Sequence, residues 1–345
     1  MINFQKKLYF CRNILKMVTD NKIVRRIASL YRHYVVKEQY PMLTPFSRNI
    51  LKKEGVMGLV YMLHHVCEKD YRRIPTNEDL KVSPAFLEAI ILKYKKIGFD
   101  FFSLDQLNDI ISSNIKPDRP FVLFTIDDGY LDNFTNALPI FEKFAIPFCV
   151  FIATDFIDKK AILWWDTLED LILSNESIDI DGNRAYPCMT FQQRWDTFRY
   201  LRESILKLDQ TDLEEELNKL FVNYSVDWYK PIKEKGMSWD QIRLLAAHPL
   251  CTIGGHTISH PALNNLTFEE AKREIQEGIK RIESVTGKPV DYFAYPYGTP
   301  NEIGEREYDL VAGLNLKLAF MAHQGCITEM NKTNVTHLPR VYLKE

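Results

Sequence analysis

The stretch that most limits what this chain can fold into is Phe121-Val-Leu-Phe-Thr-Ile126, a run of β-forming residues that stops at Asp127-Asp128-Gly129-Tyr130. A nearly unbroken apolar run reads as a strand covered on both faces, which belongs to a parallel sheet flanked by helices. Two acids at the mouth of such a strand need a reason. In α/β folds the carboxyl ends of strands collect active-site groups, because the strand fixes the backbone while the following loop is free to vary. An ordinary turn is the competing reading, with Asp accepting from nearby backbone donors and Gly supplying a positive φ.

The same pattern recurs along the chain. Gly58-Leu-Val-Tyr-Met-Leu63 is a second apolar run, and it ends in His64-His65. Ser83-Pro84 opens a helix to Ile97 that Gly98 stops, and Ser103 opens another to Ile111. A helix containing Ala137 to Phe144 and the strand from Pro147 to Ala153 complete a βαβ unit, which implies parallel strands and a right-handed crossover. Further on come a helix from Trp239 to Ala247, a short strand at Cys251 and a capping box at Thr267 to Glu270. That box opens a helix to about Thr286, closed by Gly287. Strand ends at Tyr292 to Gly298, Leu318 to Ala322 and Leu338-Pro339-Arg340-Val341 finish the series, with a helix from Glu305 to Leu314 among them. Residues 155–236 break the rhythm with Trp164-Trp165, helical patterns around Phe191 to Leu208 and Leu213 to Phe221, and loop signals at Asp181-Gly182 and Tyr186-Pro187. We read them as a helical insertion that shapes one wall of a pocket; the alternative is a lateral subdomain remote from any chemistry.

Composition narrows the function classes. With 345 residues and 46% hydrophobic content, one large domain or two smaller ones can form, and a net charge of −2 gives no electrostatic case for nucleic acid. The six cysteines are scattered, with no C-x-x-C pair, and read as reduced thiols. No segment near the start has the length of a secretory signal, and no run approaches a membrane span, so a cytoplasmic location is expected. Residues 1–52 read as a basic amphipathic helical arm and linker. Lys6, Lys7, Arg12, Lys16, Lys22, Arg25, Arg26, Arg32 and Lys37 are opposed only by Asp20 and Glu38. Such an arm docks on its own domain or lies peripherally on the inner face of an anionic membrane. No obligate protein partner is expected.

His256-x-x-x-His260 is the second sharp feature. In a tight loop or one helical turn, residues four apart project to one side, so two imidazole nitrogens can converge on one ion. His pairs at this spacing also cap helices and fill cores. Joined by a strand-end Asp, they make the open ligand set of a catalytic metal site, suited to Zn²⁺ or a similar ion. The second carboxylate then has a task. A metal brings the pKa of water from 15.7 toward about 7, and a neighbouring ionised Asp can take the proton. Adjacent positions along a strand point in different directions, which would let one Asp bind while the other acts as base.

These residues also carry a resemblance. Thr125-Ile-Asp127-Asp128-Gly129-Tyr130, His256-Thr-Ile-Ser-His260-Pro261 and Phe293-Ala-Tyr-Pro296-Tyr297-Gly298 resemble, in order, the successive motifs of the polysaccharide deacetylases, the NodB-homology carbohydrate esterases. The likeness covers roughly residues 55 to 345. It implies an α/β fold of the distorted (β/α)7 barrel kind over residues 53–345. It also implies metal-dependent hydrolysis of the N-acetyl group of an amino sugar in a polysaccharide, glycan precursor or lipid-linked saccharide. By the same resemblance Asp127 is the general base, and Asp128, His256 and His260 hold one divalent ion, Zn first, with Co, Ni or Fe as alternatives. The Tyr130 backbone N–H assists at the oxyanion.

Two departures from the family pattern stand out. Many members carry an Arg in the third motif that orients the catalytic Asp, where this chain has Ala294; Arg340 is the candidate substitute. Many end in a Leu-His-Asp motif whose His protonates the leaving amine, and this chain has none. In the circularly permuted branch the equivalent His follows an early strand. Met62-Leu63-His64-His65-Val66 fits that place, with His64 as general acid and His65 as alternate. Tyr297 and the tryptophans Trp164, Trp165 and Trp239 are candidates for contact with sugar, and His323 and His337 read as loop or surface residues. Two other functions remain open on these residues: hydrolysis of formamides or cyclic amides at the same centre, and a non-catalytic glycan-binding module.

Overall fold

The computed structural model describes residues 53, 55–113, 115–182 and 184–345; the arm expected over residues 1–52 lies outside them. Seven parallel strands close into a barrel: β1 (Val56–Leu63), β2 (Phe121–Ile126), β3 (Phe148–Ile152), β4 (Cys251–Gly255), β5 (Tyr292–Ala294), β6 (Leu318–Gln324) and β7 (Leu338–Tyr342). Each strand pairs with the next in sequence, and β7 returns to β1 with Tyr61 opposite Val341. The expected (β/α)7 architecture is the one observed.

The closure explains the apolar runs. Every residue of β2 and β3 is buried, because each strand has the barrel interior on one side and helices on the other. β1 and β2 pair over six residues, Gly58 to Phe121 through Leu63 to Ile126. Glycine at 58 has a packing cause: a Cβ there would lie 2.5 Å from the Phe121 ring.

Helices follow the signals that punctuate the sequence: α1 (Pro84–Ile97), α2 (Leu104–Ser112), α3 (Leu138–Phe144), α4 (Trp164–Ser174), α5 (Phe191–Ile205), α6 (Trp239–Ala247), α7 (Phe268–Thr286) and α8 (Glu305–Ala312). Ser83 Oγ accepts from Phe86 N at the start of α1, and Gly98 ends it at φ 79°. Capping boxes open α2, α5, α6 and α7. Leu104, Leu107, Ile110 and Ile111 of α2 pack with Phe121, Phe151, Phe320 and Leu338 of the strands in one core.

Between β3 and β4 the chain builds a second core, joining Trp164, Leu168 and Ile172 of α4 to Phe198, Leu201 and Ile205 of α5 and to Phe221 and Trp228. This region is not wholly helical. Ser177–Ile180 and Arg184–Pro187 form an antiparallel hairpin whose turn holds Asp181 and Gly182 at φ 56° and 66°. Both lie in the left-handed region, which Gly enters without a Cβ penalty and Asp tolerates better than most residues. Four-residue strands are too short for alternation to stand out from loop sequence. Among the described residues no helix is long and apolar enough to cross a membrane.

Candidate active site

The carboxyl ends of β1, β2, β4 and β5 meet at one end of the barrel. Asp127 N donates to Leu63 O at 2.9 Å, His256 N to Ile152 O at 2.9 Å, and Tyr295 N to Phe320 O at 3.1 Å, so neighbouring strands fix where each following loop begins. His64, Asp127, Asp128, Tyr130, Trp165, His256, His260, Tyr297 and Arg340 all line one cavity of about 460 Å³. Three of its residues hold left-handed backbone without being glycine, Asp128, His260 and Tyr297 at φ 79°, 64° and 57°, and so does Thr257, next to His256, at 72°. Such residues each cost about 1–3 kcal/mol and persist where surroundings over-determine them, often at functional sites. Strand alternation, expected to part the two acids, is not what does so. Asp127 and Asp128 lie beyond the end of β2, and the left-handed turn at Asp128 separates the two carboxylates. The two histidines likewise sit on a loop rather than a helical turn, with Thr257 Oγ1 accepting from His260 N at 3.1 Å.

Asp128 Oδ1 lies 3.3 Å from His256 Nε2 and 3.4 Å from His260 Nε2. Donors bound tetrahedrally to zinc at about 2.0–2.2 Å are spaced about 3.3–3.6 Å apart, so this spacing fits such an ion. The protonation pattern points the same way. His256 Nδ1 sits 2.6 Å from the Ala294 carbonyl oxygen, which places a proton on Nδ1; in the neutral ring the Nε2 lone pair then faces the carboxylate. Burial pushes the His260 pKa down to about 4 despite the attraction of Asp128, so that ring is neutral near pH 7. Asp128 Oδ1 is buried and accepts no hydrogen bond. Lone pairs facing one another in a buried site call for a cation between them, and the three residues are able to hold one.

Asp127, 2% exposed, is gripped by Arg340, 1% exposed, through two parallel bonds: Nη1 to Oδ1 and Nη2 to Oδ2, each 2.7 Å. Arg340 Nε donates to Met321 O at 2.9 Å, and Nη1 also reaches Thr125 Oγ1 at 3.1 Å. The fork is therefore fixed by β6 and β2 before it meets the carboxylate. Burial alone would raise the Asp127 pKa; the Arg340 guanidinium, with His256 and His64, outweighs it and holds the group below the usual carboxylate value. Ala294, at the third-motif place, contributes its carbonyl to His256 and a small side chain to the core.

The histidine pair divides. His64 lines the cavity, while His65 turns away, its Nδ1 2.7 Å from Asp132 Oδ2 and its ring 3.7 Å from that of Tyr130. Burial lowers the His64 pKa, against the pull of Asp128 and Asp127. A clamp holds this strand end. Asn133, fully buried, donates from Nδ2 to His64 O at 2.8 Å; Asp132 Oδ1 accepts from Val66 N at 3.1 Å; Asn136 Nδ2 donates to Val66 O at 2.8 Å. Asn133 begins a π-helical turn, Asn133–Ala137, a local widening often found beside functional sites. Asp132, His65 and Cys67 also bring ligand atoms close together, but both Asp132 oxygens and His65 Nδ1 already have partners.

Aromatic groups wall the cluster of Asp128, His256 and His260. Tyr297 meets His260 edge-on at 4.7 Å and receives a hydrogen bond from Trp164 Nε1 at 3.3 Å, and Trp165 lies 5.7 Å from His260. A second cavity of about 580 Å³ shares Trp164, Trp165, His260 and Tyr297 as lining and extends toward residues 210–218. Trp239 is elsewhere, bonded to Asp158 and stacked under Arg281. His323 is exposed, and His337 stacks on Tyr308 outside the cavity. The sequence reading missed Asn133, Trp195, Arg199 and Arg202. The first looks like an ordinary helix residue, and the other three lie on one stripe of α5 that its packing against α4 and the hairpin turns toward the cavity.

The family model for polysaccharide deacetylases matches residues 114–309, more than half of the chain. YxkH of Bacillus subtilis, provisionally named a polysaccharide deacetylase, is 25% identical over 109 residues; the match covers 32% of this chain and 39% of that protein's length. Among solved structures, IcaB from Ammonifex degensii aligns with a TM-score of 0.54 at 18% identity, over 84% of this chain and 93% of that one. The Streptococcus pyogenes deacetylase PplD, in complex with acetate, aligns with a TM-score of 0.50 at 19% identity, over 84% and 92%. A polysaccharide deacetylase from Bacillus cereus, BC0361, gives 0.51 at 18% identity, over 83% and 65%. At such identities the structural likeness speaks for the fold.

Proposed function

We propose, on the premise that this chain belongs to the polysaccharide deacetylase family, that it removes the acetyl group from an N-acetylated amino sugar by metal-dependent hydrolysis. The observation that carries this reading is one cavity holding both a three-residue cation site and an arginine-locked carboxylate. The substrate is a polysaccharide, glycan precursor or lipid-linked saccharide. The ion is Zn first, with Co, Ni or Fe as alternatives, held by Asp128, His256 and His260. When bound, it lowers the pKa of water and polarises the acyl oxygen.

The protein's own groups do the rest. Asp127, kept ionised by Arg340, takes the proton of the attacking water. The Tyr130 backbone N–H, which meets no acceptor among the described residues, donates to the acyl oxygen as negative charge develops there. His64 delivers a proton to the leaving nitrogen. Trp165 and Tyr297 offer apolar faces to the sugar ring.

Acetate release from N-acetylhexosamine oligosaccharides tests the reading. Asp127→Asn is expected to keep the metal and lower kcat by about 10²–10⁴-fold. Unchanged turnover would remove Asp127 as base. Formate as the product would decide for the formamide reading, and glycan binding without turnover for a binding module.

Asn133→Ala is expected to lower kcat by up to about 100-fold, with little change in KM, because it frees the backbone that aims His64. In a His64→Ala background the same change should cost almost nothing further. An equal loss in both backgrounds would mean that Asn133 acts through general stability.

A further inference from the structure

Helix α5 presents Trp195, Arg199 and Arg202, spaced four and three apart, to the cavity that holds Asp128 and Arg340. The other cations lining this cavity are already matched: Arg340 with Asp127, and Lys344 with Asp79 at 3.1 Å. Arg202, half-buried, makes no ion pair with any described residue, and neither does Arg199, whose guanidinium lies 6.0 Å from the Trp195 ring. Glu203 lines the same cavity and pairs with neither. Trp195 Nε1 is buried without a hydrogen-bond partner. Arg194, on the same helix, shows the contrast: its Nε is used locally, on Cys188 O at 2.8 Å.

That helix therefore brings two guanidiniums without an ion-pair partner to the cavity, with Glu203 as the one carboxylate beside them on it. A solvated arginine face explains Arg199, which is exposed, but not the half-buried Arg202 or the orphaned indole N–H. Arg202 also shares this cavity's lining with Tyr297 and Tyr342 at the catalytic end. Two guanidiniums beside an indole ring are matched by an oxyanion, which can accept from both.

We propose that Trp195, Arg199 and Arg202 form an anion subsite, and that the preferred substrate is an N-acetylated sugar carrying a phosphate or carboxylate group beside the sugar that reacts. This rests on the hydrolase reading above. Two sources share the chemistry: the diphosphate of an activated precursor, and the uronic acids of an acidic polymer.

The test compares kcat/KM of the metal-loaded full chain on three substrates: a neutral N-acetylglucosamine oligosaccharide, a nucleotide-diphosphate-linked N-acetylhexosamine and a uronate-containing N-acetylated oligosaccharide. One of the anionic substrates is expected to exceed the neutral one by tenfold or more, and which one it is identifies the source. Arg202→Ala should erase that preference, lowering kcat/KM for the anionic substrate at least tenfold beyond its effect on the neutral one. Arg202→Lys, which keeps the charge without the fork, should fall between. Equal use of neutral and anionic substrates, or an equal loss on all three in Arg202→Ala, overturns the proposal. If none of the three releases acetate, the hydrolase reading fails instead, and calorimetry on the same ligands judges the subsite. Arg202-dependent binding of an anionic sugar then supports it, and its absence overturns it.

Discussion

Arg340→Ala is expected to destabilise the barrel by about 3–5 kcal/mol, as measured by denaturant unfolding, and to lower deacetylation by about 10²–10⁴-fold. Removing the guanidinium leaves the Asp127 carboxylate unpaired where it is 2% exposed, and also strips donors from Met321 O and Thr125 Oγ1. A buried charge without its partner is among the costliest defects a core can carry. Arg340→Lys should recover part of the stability, since one ammonium cannot reproduce two parallel bonds. The pair Asp127→Asn with Arg340→Met separates the two roles. It should recover most of the stability, because no charge is left unpaired, and none of the activity. If that double variant is as unstable as Arg340→Ala, the loss comes from packing rather than from the charge.

This pair also sets a pH signature. The folded-state pKa of Asp127 is depressed below its ordinary value of 3.8, so its stabilisation is fully present above that value and is lost as pH falls through the folded pKa. The stability gap between wild type and Arg340→Ala should therefore shrink in strong acid. A gap that stays constant to the lowest pH at which the fold survives would contradict the assignment.

The second large effect is at the metal cluster. His256→Ala is expected to lose bound metal, measured as ions per chain, and to lose acetate release by more than about 10³-fold. The readout that does not depend on activity is ligand-linked stability: excess Zn²⁺ at about 1,000 times Kd should raise wild-type stability by about 4 kcal/mol and leave the variant unmoved. Asp128→Asn should behave in the same direction, because an amide replaces the charged oxygen that both imidazoles face. Equal metal content and equal stabilisation in wild type and His256→Ala would remove this site and, with it, the hydrolytic mechanism.

Much of this architecture is legible along the chain because it rests on local rules. Buried parallel strands must be apolar on both faces, so β1, β2 and β3 announce themselves as runs. Helix starts are declared by Ser83-Pro84, Ser103 and Thr267, whose side chains satisfy backbone N–H groups that would otherwise lack partners. The short hairpin from Ser177 to Pro187 is missed because its strands are too brief for alternation to register. The π turn at Asn133 leaves no compositional trace at all.

At the site, the sequence by itself supplied the chemical types: paired acids at a strand end, imidazoles four apart, and an early histidine pair. It could not say which acid meets the imidazoles, because that follows from the left-handed turn at Asp128 rather than from strand alternation. Nor could it choose between His64 and His65; Asp132, 67 positions beyond His65, draws one aside and leaves the other in the cavity. Arg340 lies 213 positions from Asp127 in the chain, and only closure of β7 onto β1 brings its fork to that carboxylate. Local propensity and patterning act over a few residues and can be read from the chain. Contacts across hundreds of positions depend on how the barrel closes and on where each buried charge finds its partner, and only the three-dimensional packing decides them.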